Sequence, residues 1–293
     1  ENVNLHIGTF YTNPNPRTKG LFTRLIFQIY RLFRVITFSI HGIYLMVKYK
    51  VDIIHIHSPM FILVVLAGKI FKKINIITFH GADYFHIENA IWYRCFSRCI
   101  DIVFSISPRF IKKLTEIHKC LVLQTFNGIK TDVYKNFKLE RKKQILTVTN
   151  FKKQKGLEFL IEGFNKFTIE NPNLNKYKLI IAGRGILFDE INLMIKNMNL
   201  SNQVFLVGQK NREELVELYN ESEIFVLPSI WEGFAKVLVE AMACGCKIIS
   251  TNVDSAPLVL EDWGYMINPS ESNEICESLN KIIKDCNYPF EKQ

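Results

Sequence analysis

Two glutamates eight residues apart are the side chains with the clearest chemical potential. Glu232 and Glu240 lie in the segment FVLPSIWEGFAKVLVEAMACG, residues 225–245. On one helix, a rise of about 1.5 Å per residue would place them on the order of 12 Å apart along the axis. This is too far for an acid and a base acting on one bond, since glycosidase carboxylates lie about 5–9.5 Å apart. The spacing suits two acceptors that hold different hydroxyl groups of one long ligand with phosphates between them, such as a nucleotide sugar.

The residues around these glutamates predict a helix N-terminus at the carboxyl end of a parallel strand. A buried strand ends at Pro228, a short loop follows, and Gly233 allows close approach of the backbone. We predict a helix from about Phe234 to Ala243. Free N–H groups and the helix dipole favour phosphate at such a place. The alternative is an exposed carboxylate in the first turn and an unrelated mid-helix glutamate, although the neighbours of Glu240 are apolar.

Strand-like and helical segments alternate through most of the sequence, which predicts an α/β fold with parallel sheets covered on both faces. About ten strands are too many for one open sheet in 293 residues, so we predict two doubly wound domains. The polar segment 133–143 lacks a hydrophobic period and divides the chain into domains of residues 1–139 and 140–293. The predicted strands are residues 4–10, 52–57, 75–79, 100–105, 120–125, 143–149, 178–182, 203–207, 224–227 and 247–250.

Composition and charge narrow the class of protein. Apolar residues make up 48% and charged residues 22% of the chain, which argues against disorder and against a polytopic membrane protein. The formal net charge of +9 suits nucleic acid, an acidic membrane face or a phosphorylated small molecule. Because no helix-turn-helix pattern and no recognisable single-strand module occurs, we predict no nucleic-acid partner.

The seven cysteines include no CxxC pair and no Cys/His set with zinc spacing. We therefore expect small buried or half-buried thiols. Thiols without such a framework are typical of a reducing compartment. No cleavable signal peptide is visible at residues 1–12, and we predict a cytoplasmic protein.

Residues 20–50 form a long apolar segment with helical period, interrupted by Arg24, Arg31 and Arg34. The uninterrupted apolar run is well short of the about 20 residues that span a bilayer. Two interpretations stay open: a core helix with a charged face, or a basic, aromatic-rich surface that lies on an anionic membrane. The second would make the protein peripheral on the inner face of the cell membrane.

The segment around the glutamates resembles the E-x7-E signature of the family 4 retaining glycosyltransferases, which have the GT-B fold. It reads PSxxEGFxKVLVEAMACG from Pro228 and continues with KIIST from Lys247. Other segments follow in the family's order: DIIHIHSP (52–59), TFHGAD (78–83), FNGIKTD (126–132) and LIIAGRG (179–185). The resemblance implies two Rossmann-like domains with a cleft between them. The acceptor would lie mostly on the first domain and the nucleotide-sugar donor on the second, with no metal and no cofactor.

The resemblance also implies a catalytic set of three residues. Glu232 would contact hydroxyl groups of the donor sugar, and His80 would lie near this sugar and the β-phosphate. Lys155, in KKQKG, would bind the diphosphate. A cation there can neutralise the leaving nucleoside diphosphate as the glycosidic bond breaks.

A second set of residues is implied to bind the donor. Glu240 would accept hydrogen bonds from the ribose, and the N–H groups of residues 233–235 would meet the sugar or the distal phosphate. The family often has arginine at the position of Asn150, and whether Lys152 or Lys153 replaces that charge stays open. The set comprises Glu240, Gly233, Phe234, Ala235, Lys152, Asn150, Gly183 and Arg184, the last two in the loop before the base-binding region.

Two residues at strand ends are predicted on the acceptor side of the cleft. His57 closes the strand DIIHIH, and Asn127 follows a later strand. Hydrogen-bonded structural roles for His55 and His57, and an ordinary turn at Asn127, are the alternatives.

We therefore predict a retaining glycosyltransferase that acts on a lipid-linked or oligosaccharide acceptor in cell-surface polysaccharide or glycolipid synthesis. The alternatives are a GT-B sugar-nucleotide epimerase and a non-catalytic glycosyltransferase-like subunit. The family's glycine-pair loop after the first strand and its last helices are missing here. We therefore expect both domains to be incomplete and the chain to be shortened at both ends.

Overall fold

In the computed structural model, which describes residues 21–88, 90–285 and 288, the chain forms two parallel β-sheets. The first sheet has the strand order β1-β2-β3-β4 and the second β10-β9-β8-β5-β6-β7. This confirms the predicted α/β fold with two Rossmann-like domains. The predicted strand at residues 4–10 lies outside the described residues, and the domain boundary at residues 139 and 140 stays a prediction.

The elements alternate in the order expected of such domains, with short 3-10 turns between several of them. The first domain contains α1 (Leu21–Lys48), β1 (Ile53–Ile56), α2 (Ile62–Ile70), β2 (Ile74–Phe79), α3 (Ile91–Phe96), β3 (Ile102–Ser105), α4 (Ile111–Ile117) and β4 (Leu121–Gln124). The second contains β5 (Lys142–Val148), α5 (Leu157–Glu170), β6 (Lys178–Ala182), α6 (Phe188–Asn197), β7 (Val204–Gly208), α7 (Arg212–Glu221), β8 (Ser222–Leu227), α8 (Lys236–Ala243), β9 (Lys247–Thr251), α9 (Ala256–Leu260), β10 (Tyr265–Ile267) and α10 (Ser272–Lys284).

The second sheet is covered by helices on both faces. Side chains alternate along a strand, so Ile145 of β5 packs with α5 and α10, whereas Leu146 packs with α7, α8 and α9. Both side chains are fully buried. The carboxyl ends of β5, β6 and β8 emerge at one edge of this sheet, and the loops after them contain most of the predicted donor residues.

In the first sheet, the described helices cover one face. Ile54, Ile77 and Val103 point to that face and pack with α2 and α4. Their neighbours along the strands point the other way, and the described residues do not confirm the expected cover there. Four of these side chains are 38–56% exposed: Ile53, Ile74, Leu121 and Leu123.

Helix α1 has 28 residues, and most of its described side chains are exposed. Its C-terminal part joins the first-domain core through Ile43 and Met46. The interpretation as a core helix is wrong for most of its length, because α2, which it contacts near Gly42, has only nine residues. None of the described helices, α1 included, has an apolar stretch long enough to cross a bilayer. Nine large side chains of α1 are 40–63% exposed: Ile26, Ile29, Tyr30, Leu32, Phe33, Ile36, Ile40, Tyr44 and Val47.

The segment before β5 is fixed to the second domain by the guanidinium of Arg141. It donates to the carbonyl oxygens of Tyr219, Ser222 and Cys244 at 3.1, 2.6 and 2.6 Å. These acceptors lie at the ends of α7 and α8 and at the start of β8. Arg141 therefore ties the polar segment between the sheets to the elements that carry the site.

Arg141→Lys is expected to lower the free energy of unfolding by about 1–3 kcal/mol, because an ammonium cannot serve three carbonyls as a planar guanidinium does. Lys142→Ala is the matched control. Lys142 forms an exposed ion pair with Glu221, and such pairs contribute about 0.2–1 kcal/mol. Urea denaturation followed by circular dichroism measures both variants. Equal losses would contradict an anchoring role for Arg141.

Candidate active site

The two glutamates follow β8, but only one of them lies on a helix. α8 begins at Lys236, two residues later than predicted, because Ala235 has the non-helical angles φ −80° and ψ 77°. Glu232 therefore precedes the helix, and the spacing of about 12 Å along a helix axis does not apply. Both carboxylates are buried, with 8% of Glu232 and 5% of Glu240 exposed. Each needs a compensating partner at this depth.

Glu232 forms an ion pair with Lys155. Lys155 Nζ lies 2.5 Å from Glu232 Oε1, and the Ser229 hydroxyl donates to the same oxygen at 2.7 Å. The Lys155 and Glu232 side chains are 16% and 10% exposed, so the pair depends on good geometry rather than on water. Two of the three predicted catalytic residues are thus in direct contact.

The backbone holds the two loops of this pair together. Lys155 lies in a 3-10 turn that ends at Gly156, which has the left-handed φ of +60°. A Cβ at this glycine would overlap the carbonyl oxygen of Pro228. The N–H of Ile230 also donates to the carbonyl oxygen of Gln154 at 2.8 Å. The KKQKG sequence therefore places its last lysine against the loop after β8.

Glu240 lies on α8 and has partners of its own. Its Oε2 accepts from the Tyr219 hydroxyl at 3.2 Å, and Lys236 Nζ, one helical turn earlier, lies 3.6 Å from Oε1. Burial, and then the charge of Glu240, raises the pKa of Tyr219 and of Tyr134. These phenols therefore remain protonated donors at neutral pH.

A cavity of about 360 Å³ opens at the carboxyl ends of β5 and β6, beside the N-terminus of α8. Ligand pockets commonly have about 300–1,000 Å³, so a small organic ligand fits this space. Seven predicted residues line it: Asn150, Lys155, Gly183, Arg184, Glu232, Phe234 and Ala235. Six other predicted residues do not: Glu240, Gly233, Lys152, His57, His80 and Asn127.

Four polar residues of the lining were missed from the sequence: Gln209, Lys210, Lys236 and Thr149, the last directly after β5. The first two come directly after β7, and the third begins α8. Their position at a strand end and a helix start was the available signal. Lys210 Nζ lies 2.9 Å from Glu214 Oε1, so this lysine, like Lys236, is already paired with a carboxylate.

His57 and His80 meet on the first-domain side. His57 Nδ1 lies 3.0 Å from His80 Nε2, so one imidazole donates to the other. The ring of His55 stacks on His57 with centroids 4.4 Å apart, and His55 Nε2 lies 2.8 Å from Thr78 Oγ1. Burial, and then the neighbouring imidazoles, lowers the pKa of His55 and of His57, which favours neutral rings at pH 7. Hydrogen-bonded roles for both are therefore present, and the acceptor-side role of His57 stays a prediction.

The loop that carries Glu232 also touches the first domain. Trp231 and Phe234, which lie on either side of Glu232 in the sequence, have ring centroids 5.9 and 6.0 Å from the rings of Phe85 and Phe126. The backbone of Gly233, between these two aromatic residues in the sequence, packs against the backbone of Gly81. The position of Glu232 therefore depends on the docking of the domains as well as on Lys155. The contacts are Trp231–Phe85, Phe234–Phe126 and Gly233–Gly81.

A second cavity, of about 590 Å³, lies on the first domain and is lined by charged side chains that include Arg94, Arg98 and Lys113. It contains none of the predicted site residues, and Lys113 is already paired with Glu88 at 3.2 Å. Within the described ranges, no group of three or more His, Cys, Asp or Glu side chains is arranged to hold a metal ion. The expectation of a metal-free site stays a prediction.

Gly81→Ala is expected to disturb the contact between the domains. Its φ is +87°, and a new Cβ would lie 2.9 Å from Gly233 Cα, so we expect a loss of about 1–3 kcal/mol in the free energy of unfolding. Gly128→Ala is the matched control, because a Cβ there meets no atom within 4 Å. Chemical denaturation and small-angle scattering measure the stability and the domain arrangement. If both variants behaved like the wild type, the glycine contact would not hold the domains together.

Comparison with known proteins agrees with this architecture. Residues 129–291 match the family model for glycosyl transferases group 1. N-acetyl-alpha-D-glucosaminyl L-malate synthase of Bacillus anthracis is 27% identical in an alignment of 260 positions that covers 80% of this chain and 66% of that protein. The Campylobacter jejuni N-acetylgalactosamine-N,N'-diacetylbacillosaminyl-diphospho-undecaprenol 4-alpha-N-acetylgalactosaminyltransferase is 29% identical over 189 residues, 62% of this chain and 47% of that protein. The chain thus spans less than two thirds of the length of these relatives.

A solved structure gives the same result for the fold. Anabaena Alr3699/HepE in complex with UDP and glucose has a TM-score of 0.69 at 18% identity, over 84% of this chain and 72% of that chain. This likeness supports the predicted GT-B architecture. Because the family model matches more than half of the sequence, the chain belongs to the group 1 glycosyltransferases.

Proposed function

We propose that this chain transfers a sugar from a nucleotide-sugar donor to an acceptor hydroxyl, with retention of configuration at the anomeric carbon. The observation that carries the proposal is the Lys155–Glu232 pair, which lies in a cavity beside a helix N-terminus at the carboxyl edge of a parallel sheet. Open α/β sheets bind phosphorylated ligands at such edges. Family membership, and the UDP and glucose bound by the Anabaena protein, support a nucleotide-sugar donor.

The donor is assigned to the second-domain cavity. Lys155 and the N–H groups of residues 233–235 bind the diphosphate, and Glu232 accepts hydrogen bonds from the donor sugar. The nucleoside extends toward Gly183 and Arg184, which line the cavity next to β6. Each oxygen of Glu240 has a partner, and because a carboxylate oxygen can accept two hydrogen bonds, Glu240 keeps acceptor capacity for a ribose hydroxyl.

The chemistry is a displacement on one face of the sugar. The acceptor oxygen forms a bond to the anomeric carbon on the side where the bond to the diphosphate oxygen breaks. The acceptor proton passes to the departing phosphate oxygen, and Lys155 stabilises the charge that develops there. Since Glu232 Oε1 is already bonded by Lys155 and Ser229, its geometry favours positioning of the sugar over attack on carbon.

We assign the acceptor to the first-domain side of the cleft, with His57 and Asn127, and keep His80 near the donor sugar and the β-phosphate. The name of the Campylobacter relative includes diphospho-undecaprenol, which supports a lipid-linked acceptor and a place in polysaccharide or glycolipid synthesis. The backbone of His80 lies close to the donor-side loop. A Cβ added at Gly233 would be only 3.1 Å from the His80 carbonyl oxygen.

Glu232→Gln and Lys155→Ala are each expected to lower kcat by about 10²–10³-fold, since each removes a charge aimed at the reacting groups. The assay begins with a thermal-shift screen of nucleotide sugars and continues with mass analysis of products from lipid-linked and free acceptors. Glu217→Gln and Lys176→Ala, on exposed side chains of the same domain, are the matched controls.

The same assay separates the alternatives. A glycoside together with a nucleoside diphosphate supports transfer. Free epimerised sugar nucleotide would instead identify an epimerase, and donor binding without turnover would identify a non-catalytic subunit. Near-normal turnover by Glu232→Gln on the true donor would contradict the assignment of the site.

We also propose that α1 lies on an anionic membrane surface, where a lipid-linked acceptor is presented. Residues 21–50 contain five basic and no acidic side chains. The Arg34 guanidinium lies 5.8 and 5.7 Å from the ring centroids of Tyr30 and Phe38. Exposed aromatic and aliphatic side chains beside cations are typical of helices that bind the interface of anionic lipids.

The double variant Leu32→Ser/Phe33→Ser is expected to reduce vesicle binding by about tenfold or more, because it removes two exposed apolar side chains from this surface. Flotation with vesicles of phosphatidylcholine and phosphatidylglycerol measures the binding. Ile169→Ser, at a side chain of α5 that is 69% exposed, is the matched control. Binding that is equal with and without phosphatidylglycerol would contradict the electrostatic part of the proposal.

A further inference from the structure

Asp254 lies where the site of the second domain meets the first domain. It belongs to the loop between β9 and α9, at the carboxyl end of β9. Its φ of +47° is left-handed, a conformation that residues other than glycine seldom adopt. Such a conformation persists where the surrounding contacts determine it, and the contacts of Asp254 are made by its carboxylate.

The two oxygens of this carboxylate face different domains. Oδ2 accepts from the backbone N–H of Glu232 at 3.0 Å. Oδ1 accepts from the hydroxyl of Ser107 at 3.4 Å. Ser107 is fully buried and follows β3 of the first domain. One side chain therefore connects the Glu232 loop to the opposite domain.

The charges around Asp254 come from both domains. Burial raises the pKa of its carboxyl, and the Glu232 charge adds to this. The Glu232 N–H, the Arg109 guanidinium and the Ser107 hydroxyl act in the opposite direction. Two of these three groups belong to the first domain, and burial, the largest cause, leaves the pKa of the Asp254 carboxyl raised overall.

Asp254 complements the other partners of Glu232. Lys155 and Ser229 bond the carboxylate of Glu232, whereas Asp254 bonds its backbone. The side-chain partners fix where the carboxylate points, and the backbone partner fixes where the loop lies. Loss of the backbone partner would leave a buried N–H without its acceptor and free the loop to move.

We propose that Asp254 is a positioning residue that holds the Glu232 loop and, through Ser107, links the geometry of this loop to the docking of the domains. The expected effect on kcat rests on the proposed function, since it assumes that Glu232 contacts the donor. The structural part does not depend on it.

The first experiment is hydrogen–deuterium exchange of peptides that cover residues 229–235. Asp254→Ala is expected to speed exchange at the Glu232 amide by about 10-fold or more, because the N–H loses a charged acceptor. Asp254→Asn keeps an acceptor oxygen and should exchange like the wild type. Ser255→Ala is the matched control, since the buried Ser255 hydroxyl has no hydrogen-bond partner among the described residues. Unchanged exchange in Asp254→Ala would overturn the proposal.

The second experiment compares kcat and KM. Asp254→Ala is expected to lower kcat by about 10- to 100-fold, and Ser107→Ala is expected to lower it less. Asp254→Asn should restore kcat to within about threefold of the wild type, because its amide can bond both partners. In a Glu232→Gln background, Asp254→Ala should add less than about threefold, since it acts through Glu232.

If Asp254→Ala lowered kcat as much in the Glu232→Gln background as in the wild type, the positioning role would be overturned. If Asp254→Ala does not fold, Ser107→Ala carries the test: wild-type exchange at the Glu232 amide and wild-type kcat would overturn the link to docking. If the wild type transfers no sugar from any donor, the proposed function fails, and the exchange experiment still decides the role of Asp254.

Discussion

A buried carboxylate needs partners that replace the lost water, and the carboxylate of Glu232, which is 8% exposed, has such partners from two loops, while a third loop bonds its backbone. Lys155 comes from the loop after β5 and Ser229 from the loop after β8, while Asp254, after β9, accepts from the Glu232 N–H. The strand order β9-β8-β5 makes these loops neighbours, and parallel strands end at one edge of the sheet. The strand order of the sheet therefore brings together the loops whose side chains hold Glu232.

A second constraint comes from the first domain. Trp231 and Phe234 flank the buried carboxylate on the chain, and both pack on aromatic rings of the opposite domain. Opening of the cleft must break these contacts together with the hydrogen bond from Ser107 to Asp254. The loop cannot keep all of its partners in an open arrangement. The docked arrangement therefore supplies part of the contacts that hold the Glu232 loop.

The sequence predicts elements better than contacts. Apolar periodicity located the strands of both sheets to within about two residues, because buried strands and their flanking helices impose local patterns. β10 was missed, since its three residues give too short a pattern. The late start of α8 depends on the backbone of Ala235, and the bond between Ser107 and Asp254 joins residues 147 positions apart. No local pattern encodes such a bond. Similarly, the amphipathic sequence of α1 could not show that its neighbouring helix α2 is too short to cover it.

The net charge of +9 does not appear as unpaired lysines in the described lining of the cavity. The three lysines of the lining already have carboxylate partners: Lys155 with Glu232, Lys210 with Glu214 and Lys236 with Glu240. If a diphosphate binds here as proposed, these three lysines would have to share or exchange a carboxylate partner, whereas Arg184, which also lines the cavity, has no carboxylate partner among the described residues. Under the proposed function, departure of the diphosphate would restore these lysine–carboxylate pairs.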